Sequence, residues 1–495
     1  MIGASILLQF VFLLAMLDFL RDYSQVFYLF ALVISVVATL WIIYNDLNPA
    51  YKITWILVIT LFPIFGGLLY LSFGGSQLTR NERNRLKKIE DDTRKTLKID
   101  DTLTKKLAHE DQKGYLQANY IQEYGPYPLC KNTECQYFSL GEDNFAQMKK
   151  DLEEAKSYIF IEYFIIEEGQ MWSELLDILI QKAKDGVDVR VVYDDMGCSL
   201  KLPSHYDKYL RKQGIKCQRF NPLVPILSSR YNTRDHRKIM VIDGLIGYTG
   251  GINLADEYIN VVEKLGHWKD MGIRLEGEAV WSLTVMFTSL WDYLNKQDID
   301  NSKLKPEYKT LETQGFVLPY SDNPLDNESV GENVYLNMIN RAEDYIYITT
   351  PYLIISNEMM TALCNAAKSG VDVKIIMPHI PDKWYVHHVS WSYYDKLIKS
   401  GVEILEYKPG FMHGKNFVCD DKYAVVGTIN MDFRSLYLHF ECAVWLYDVP
   451  QIINIKEDFV ETAEKCIKIS SEDISNMGFF KAILGLVFRM FAPLM

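Results

Sequence analysis

The first 75 residues of the chain consist mainly of three long apolar runs. The runs cover residues 2–20, 26–44 and 53–73, and only the first contains a charged residue, Asp18. Each run is about 20 residues long, which is the length of helix that crosses the hydrocarbon core of a bilayer. We therefore predict transmembrane helices over 26–44 and 53–73, and either a third span or an interfacial segment over 2–20.

The residues that flank these runs predict their orientation. The loop 45–52 balances Lys52 against Asp46, whereas the third run is followed by Arg80, Arg83, Arg85, Lys87 and Lys88. Cytoplasmic flanks of membrane helices carry an excess of Lys and Arg. We therefore expect a multi-pass protein of the plasma membrane whose remaining residues face the cytoplasm. The basic cluster could also bind anionic lipid head groups.

The chain beyond residue 135 is an internal repeat. Four segments occur twice in the same order, at offsets between 177 and 187 residues. The pairs are AKSYIFIEYFII (155–166) with AEDYIYITTPYLI (342–354), AKDGVDVRVVYD (183–194) with AKSGVDVKIIMP (367–378), LRKQGIKCQRFNP (210–222) with LIKSGVEILEYKP (397–409), and DHRKIMVIDGLIGYTGGIN (235–253) with MHGKNFVCDDKYAVVGTIN (412–430). Because chance rarely preserves both order and spacing, the repeat indicates a duplicated domain.

Strand and helix patterns alternate within each copy. A β-branched apolar run is followed by a helical stretch that ends in Lys, with Gly two residues later, as helix C-termini often do. Such alternation indicates α/β layers, with helices over a mixed sheet. We predict a charged linker over 76–135 and two tandem α/β domains over 136–310 and 311–470. The domains should pack face to face with pseudo-two-fold symmetry.

The C-terminal residues 471–495 end in an apolar segment whose last 18 residues carry only Lys481 and Arg489 as charges. The segment is too short and too interrupted for a span. It suits an interfacial helix whose basic side chains reach the anionic inner leaflet. The alternative is a helix that packs on the preceding domain.

Composition narrows the choice of partners and compartment. The net charge is −12 and the pI about 5.4. This acidic balance disfavours nucleic acid as a partner, because nucleic-acid binding requires basic surfaces. The 8 cysteines are scattered and match neither a zinc site nor a disulfide framework, which favours a reducing compartment.

One polar motif recurs at the matching point of both copies. It reads His-x-Lys-x4-Asp and comprises His236, Lys238 and Asp243 in the first copy and His413, Lys415 and Asp420 in the second. Residues i and i+2 share one face of a strand, so each imidazole and its ammonium should point into the same space. A turn and a Gly-rich segment ending in Asn253 or Asn430 follow, and their N–H groups could hold an anion.

Brought together, the two copies would supply two imidazoles and two ammonium groups to one site. This set suits a phosphodiester, because cations and amides neutralise oxygens whose charge grows in the transition state. One imidazole would attack phosphorus and the other would protonate the leaving oxygen. We favour His236 as the nucleophile and His413 as the acid, although the symmetry of the motifs leaves the assignment open.

We expect neither a metal nor another cofactor in this chemistry. A lysine two residues from each motif histidine would repel a divalent cation, and no cluster of acidic residues or cysteines accompanies the motifs. The pair His387-His388 looks metal-like in isolation. We interpret it as the surface of a loop or helix.

These features resemble the bacterial cardiolipin synthases of the phospholipase D superfamily. The resemblance rests on the paired motifs, each followed by Gly-(Gly/Thr)-x-Asn, on the apolar N-terminal runs, and on the segments Asn48-Pro49-x-x-Lys52-x-x-Trp55 and Phe73-Gly74-Gly75. It covers nearly the whole chain. It implies transfer of a phosphatidyl group from one phosphatidylglycerol to another through a phosphohistidine, giving cardiolipin and glycerol without a metal.

The resemblance also implies roles for residues outside the histidine pairs. Asn253 and Asn430 match the family's phosphate-side amides. The family places a supporting acid downstream of each histidine, and Asp270 and Glu441 occupy those positions. Such carboxylates would fix the tautomer of each imidazole.

Two points of the family pattern stay open in this sequence. Asp243 and Asp420 belong to the active-site set, but they could equally be structural turn or salt-bridge residues. Gly251 stands where a Ser or Thr would match Thr428, so a hydroxyl is not required in the first copy.

The main alternative is a phospholipase D that transfers the phosphatidyl group to water. A membrane-tethered nuclease is disfavoured by the acidic charge balance, and a non-enzymatic lipid scaffold by the two intact motifs. Phosphatidylglycerol or phosphatidylethanolamine could serve as donor or acceptor at an anionic bilayer surface. An oligomer is possible.

Overall fold

A computed structural model describes most of the chain. It covers residue 11 and residues 24–45, 48–62, 65–74, 80–223, 232–297, 301–326, 328–476 and 478–494. The predicted segment 2–20 therefore lies outside the described residues, apart from Val11.

The helices described between residues 24 and 74 are α1 (Ser24–Tyr44), α2 (Pro49–Leu61) and α3 (Gly66–Phe73). The prediction of one continuous helix over 53–73 is wrong, because α2 ends at Leu61 and α3 begins at Gly66. Phe62 precedes a proline, and the residue before proline is disfavoured from helical φ/ψ values; its φ is −128° and its ψ is 68°. Within the described ranges, no helix has the length and apolar content needed to span a membrane.

These helices contact the rest of the protein through a few polar bonds. Asn48 caps α2 by accepting from the Ala50 N–H at 2.9 Å, and its Nδ2 donates to the Tyr437 hydroxyl at 3.0 Å. The Thr54 hydroxyl donates to the Met490 carbonyl at 2.8 Å. The N-terminal helices therefore rest on the second half of the chain and on its C-terminal helix.

The remaining helices and strands form two α/β units with helices packed on mixed sheets. The helices are α4 (Arg80–Thr96), α5 (Asp101–Glu110), α6 (Gln112–Tyr124), α7 (Gly141–Glu153), α8 (Gln170–Lys184), α9 (Asp195–Cys198), α10 (Tyr206–Lys212), α11 (Val280–Asn295), α12 (Val330–Arg341), α13 (Asn357–Lys368), α14 (Trp384–Lys399), α15 (Phe433–Tyr437), α16 (Gln451–Ala463), α17 (Ser471–Ser475) and α18 (Phe479–Met490).

The strands of the first unit are β1 (Thr133–Phe138), β2 (Tyr158–Tyr163), β3 (Asp188–Asp194), β4 (Lys216–Phe220), β5 (Arg234–Asp235), β6 (Lys238–Ile242), β7 (Ile246–Gly250), β8 (His267–Lys269) and β9 (Gly272–Gly277). Its main sheet has the order β1-β9-β7-β6-β2-β3-β4. The central strand β2 is buried along its whole length, as expected for a strand covered on both faces.

The strands of the second unit are β10 (Phe316–Asp322), β11 (Tyr345–Thr349), β12 (Asp372–Pro378), β13 (Glu403–Tyr407), β14 (Gly410–Met412), β15 (Asn416–Cys419), β16 (Tyr423–Gly427), β17 (His439–Tyr447) and β18 (Cys466–Lys468). Their order is β10-β17-β16-β15-β11-β12-β13-β18. Apart from the added β18, each strand occupies the place of its counterpart in the first sheet. The predicted pair of α/β regions is confirmed.

Two short strands cross between the units. Strand β5 of the first unit pairs in parallel with β17 of the second, and β14 of the second pairs in parallel with β8 of the first. Each crossing strand stands directly before a motif histidine. The two crossings are equivalent under exchange of the units, so the histidine segments are fixed to the opposite unit rather than to their own.

The charged segment predicted as a linker packs against the α/β units. Leu107, Ala118 and Ile121 from its helices α5 and α6 are fully buried in the larger hydrophobic core. The Gln117 Oε1 accepts from the Trp445 Nε1–H at 2.9 Å. Charged residues on the outer faces of these helices conceal the apolar positions that tie the segment to the core.

The C-terminal helix α18 packs on α14 and also presents an apolar surface. Arg489 donates to the Ser392 carbonyl at 3.1 Å and stacks 4.0 Å from the Tyr393 ring centroid. Ile483, Leu486 and Val487 remain exposed. The sequence left open whether this segment is an interfacial helix or a helix packed on the preceding domain. Helix α18 has a packed face and also an exposed apolar face.

Candidate active site

The first motif histidine lies in the break between β5 and β6. Its position is fixed by the second unit, because the His236 backbone N–H donates to the Phe440 carbonyl at 2.9 Å. Its Nδ1 lies 2.9 Å and 3.0 Å from the two carboxylate oxygens of Glu441. A carboxylate can only accept here, so Nδ1 carries the proton and Nε2 keeps its lone pair.

The second motif histidine repeats this arrangement in the opposite direction. His413 lies between β14 and β15, and its backbone N–H donates to the Lys269 carbonyl of the first unit at 2.8 Å. Its Nδ1 lies 2.5 Å from Asp270 Oδ2. The structure thus brings both predicted carboxylates to the histidines, but each histidine takes the one that belongs to the other unit.

Both lysines are buried beside the imidazoles. Lys238 Nζ donates to the His236 carbonyl at 2.7 Å, and Lys415 donates to the His413 carbonyl with its Nζ 2.8 Å from His413 Nδ1. The strand prediction for these residues is wrong in detail, since neither histidine belongs to a regular strand. The break between two short strands lets the imidazole and the ammonium approach the same space.

Burial and mutual repulsion keep the imidazoles neutral. Burial lowers the pKa of His236 well below its usual value, and Lys238, Lys415 and His413 lower it further. Burial, with Lys415, lowers the pKa of His413 to about 4, while Asp270 opposes the shift. Because residues of the second motif act on the histidine of the first, the two motifs belong to one electrostatic cluster.

The same burial weakens the lysines as permanent cations. It lowers the pKa of Lys238 to about 8 and that of Lys415 to about 7. Both lysine residues are 1% exposed, and neighbouring carboxylates, Glu441 and Asp270 among them, partly offset the lowering of their pKa values. An anionic group placed between them would restore their charge and be held strongly in return.

The motif aspartates do not reach this cluster. Asp243 accepts from the backbone N–H groups of residues 156, 157 and 158 at 2.7–2.9 Å, and Asp420 from those of residues 343, 344 and 345 at 2.9–3.0 Å. In each unit the histidine precedes a strand, β6 or β15, and the aspartate follows the far end of that strand. The structural alternative weighed for them is therefore the one that the contacts support.

These aspartates also form the predicted hairpin turns. Asp243 and Gly244 have φ values of 53° and 68°, and Asp420 and Asp421 have 53° and 56°. Positive φ at both central residues is the geometry of a two-residue hairpin turn that matches strand twist. The turn and the carboxylate cap together fix the start of the neighbouring central strand.

The predicted amides differ in their contacts. Asn253 accepts from the Ile165 N–H at 3.0 Å and donates to the Tyr258 hydroxyl at 2.7 Å, so its side chain is engaged within the first unit. Asn430 is buried, and its Oδ1 has no hydrogen-bond partner in the described part of the chain. Asn430 is therefore the amide that is less committed to the fold.

The departure at Gly251 has a steric reason. A Cβ on Gly251 would overlap Asp270 Oδ1. In the second unit the equivalent Thr428 donates its hydroxyl to Glu441. The shorter side chain, Asp270, thus lies against glycine, and the longer one, Glu441, lies against threonine. Asp270 also accepts a hydrogen bond from the backbone N–H of Met271 at 2.8 Å.

The sequence reasoning missed His439. Its ring centroid lies 5.6 Å from that of His236, and its Nδ1 lies 3.8 Å from Glu441 Oε1. The signal was present, because His439 precedes Glu441 by two residues and therefore shares its face of β17. The other pair, His387 and His388, lies on α14 as predicted.

Comparisons with known proteins agree with this geometry. The family described as "cardiolipin synthase, PLD-like domain" matches residues 148–291 and 335–463, and a phospholipase D–nuclease N-terminal family matches residues 33–75. A cardiolipin synthase of Alkalihalophilus pseudofirmus is 34% identical over 99% of both chains. An uncharacterized protein of Streptococcus mutans is 44% identical over 92% of this chain and 99% of its own.

A solved structure shares the fold. The phosphatidylserine synthase of Haemophilus influenzae superimposes with a TM-score of 0.59 at 15% identity, over 76% of this chain and 97% of the other. At this identity the match concerns the fold alone.

We expect Asp420→Asn to lower stability while sparing the site. The amide keeps the left-handed backbone conformation accessible but removes the charge from three N–H bonds, which should cost about 1–3 kcal/mol. Asp421→Asn, at the more exposed residue of the same turn, is the matched control and should cost less. Thermal unfolding in detergent measures both. Equal stability of Asp420→Asn and the wild type would refute a structural role.

Proposed function

This chain belongs to the family of cardiolipin synthases with phospholipase D-like domains, and we propose that it transfers a phosphatidyl group from one phosphatidylglycerol to a second. The products are cardiolipin and glycerol. The chain is thus a phosphatidyltransferase of the phospholipase D superfamily.

The exchange of carboxylates carries this proposal. Glu441 supports His236 and Asp270 supports His413, so each imidazole depends on the opposite unit. Two sites that worked independently would have no need of this exchange. One site that holds one phosphate between both histidines requires that the units be locked together.

In the proposed reaction one imidazole Nε2 attacks phosphorus. The P–O bond to glycerol breaks, and the glycerol oxygen takes a proton from the second imidazole, which the anionic phosphate in the site converts to the imidazolium form before the attack. The primary hydroxyl of the incoming phosphatidylglycerol then attacks the phosphohistidine, its proton passes to the second imidazole, and the P–N bond breaks. Lys238 and Lys415 balance the charge on the non-bridging oxygens, with Asn430 as the further donor.

We assign the attack to His236 and the proton transfer to His413. The neighbours that change the pKa of His236 most are lysines and another imidazole, all of which favour its neutral, nucleophilic form. At His413 the carboxylate of Asp270 opposes burial and lies 2.5 Å from Nδ1. Both histidines have a carboxylate at Nδ1, but the contact at His413 is the shorter one, which favours there the imidazolium that a proton donor must form.

We further propose that the N-terminal helices anchor the enzyme in the plasma membrane, with the catalytic units in the cytoplasm. Support comes from the apolar runs, from exposed apolar side chains on α1 such as Leu29, Phe30 and Val37, and from the basic residues after the third run. The apolar outer face of α18 would give a second contact with the anionic bilayer that supplies phosphatidylglycerol.

A product assay tests the proposed reaction. Purified wild-type protein with phosphatidylglycerol should yield cardiolipin and glycerol, and His236→Ala or His413→Ala should lower the rate by about 10³-fold or more. Mass spectrometry identifies the lipids. Phosphatidic acid without cardiolipin would favour the hydrolase, and full activity in either variant would refute a shared site.

A substrate whose leaving group needs no proton tests both the pairing of each histidine with the opposite carboxylate and the roles assigned to the two histidines. Glu441→Gln should slow attack by His236, and Asp270→Asn should slow protonation by His413, each by about 10²-fold or more. A phosphatidyl ester of nitrophenol, which leaves without protonation, should restore phosphohistidine formation in Asp270→Asn only. Rescue of Glu441→Gln instead would reverse the pairing or the roles.

The lowered pKa values of Lys238 and Lys415 predict how kcat/KM falls as the pH rises. Their pKa values of about 8 and 7 lie below the ordinary value, so the ammonium charge is complete at low pH and is lost as the pH rises through this range. We expect kcat/KM to fall between about pH 7 and 8. In Lys415→Arg, where the cation persists, any remaining activity should decline at higher pH. An unchanged kcat/KM up to pH 9 would contradict the need for these charges.

A further inference from the structure

His439 adds a third possible metal ligand to the His236–Glu441 pair. The nitrogen and oxygen atoms that His236, His439 and Glu441 could offer to a metal ion all lie within 4.8 Å of one another. All three side chains are buried, and His439 stands two residues before Glu441 on the same strand. Two imidazoles and one carboxylate form a ligand set that zinc readily accepts.

The imidazole of His439 is unusual by itself. It is 9% exposed, and neither ring nitrogen has a hydrogen-bond partner within the described residues. The Glu441 oxygen at 3.8 Å is too distant for a hydrogen bond. Because buried polar groups are nearly always paired, two unpaired nitrogens beside a carboxylate point to a ligand.

The surrounding charges permit a cation on this side of the site. Glu441 and Asp270 partly offset the charges of Lys238 and Lys415, and Lys238 Nζ is bonded to the His236 carbonyl rather than to an imidazole nitrogen. Binding at His236 Nδ1 would displace one proton, which reduces the added charge. The argument from the motif lysines against a metal did not include the third ligand, His439.

The equivalent position of the first unit excludes a second such site. Trp268 stands two residues before Asp270, where His439 stands before Glu441. Its ring centroid lies 5.5 Å from that of His413. An indole offers no lone pair to a metal, so among the described residues this ligand set occurs beside His236 and not beside His413.

We propose that His236, His439 and Glu441 form an inhibitory binding site for a divalent transition metal of the zinc type. The bound ion replaces the Nδ1 proton of His236 and breaks its hydrogen bond to Glu441. The imidazole then loses the orientation and the basicity needed to attack phosphorus. The inhibitory effect rests on the proposed function, whereas the binding site itself does not.

Zinc titration of the full-length protein in a zwitterionic detergent tests this proposal. Calorimetry after treatment with EDTA should find one more Zn²⁺ bound to the wild type than to His439→Asn. Cardiolipin formation by the wild type should be inhibited by Zn²⁺ and restored by EDTA. In His439→Asn, half-inhibition should need at least about tenfold more Zn²⁺, with activity in EDTA close to that of the wild type.

A matched control separates this site from other histidines. His387 lies 4.0 Å from Glu406, and His379 binds the same carboxylate, so His387→Asn removes a partly buried imidazole beside a carboxylate elsewhere. Its inhibition should equal that of the wild type. Should His439→Asn fold poorly, His439→Gln repeats the comparison.

Equal Zn²⁺ binding by the wild type and a folded His439 variant would overturn the site. Loss of binding without a change in inhibition would overturn its inhibitory role. If the wild type formed no cardiolipin, the proposed function would fail, while calorimetry would still decide whether the metal binds.

Discussion

The hydrogen bonds between each motif histidine and the carboxylate of the opposite unit are the constraint on which the rest of this structure depends. They set the tautomer of both imidazoles, and they require that β5 and β14 leave their own sheets to pair with β17 and β8. A buried histidine–carboxylate pair is costly to break, because the charged partner is left without compensation. The two units therefore stay in one relative orientation, and the positions of the two imidazoles are held with them.

The symmetry that creates the site is incomplete, and each exception has a local cause. Glu441 has the Thr428 hydroxyl and His439 as neighbours, whereas Asp270 has Gly251 and Trp268. Glu441 is longer and lies beside a hydroxyl, whereas Asp270 is shorter and lies beside glycine. Both nevertheless place a carboxylate oxygen beside the Nδ1 atom of a motif histidine. The remaining difference, imidazole against indole, gives the two motif histidines different neighbours without disturbing the shared geometry.

Much of this arrangement was predictable from the sequence, because the duplication indicates two like α/β units and singles out the six motif residues. The exchange of Asp270 and Glu441 was not, since a pattern along the chain does not contain the pairing of β5 with β17. The role of Asp243 and Asp420 became clear only from the N–H groups that they cap. The division of the third apolar run was readable in principle, because Phe62 stands before a proline. His439 was overlooked because its significance depends on a neighbour 203 residues earlier in the chain, His236.

The central claim is that both motifs act on one phosphate. A crystal structure of the protein with orthovanadate, which takes the trigonal bipyramidal geometry of phosphoryl transfer, tests it most directly. We expect a single vanadate between His236 and His413, with Lys238 and Lys415 on its oxygens and the carboxylates of Glu441 and Asp270 still exchanged. Two separate anions, one beside each motif, would contradict a shared site.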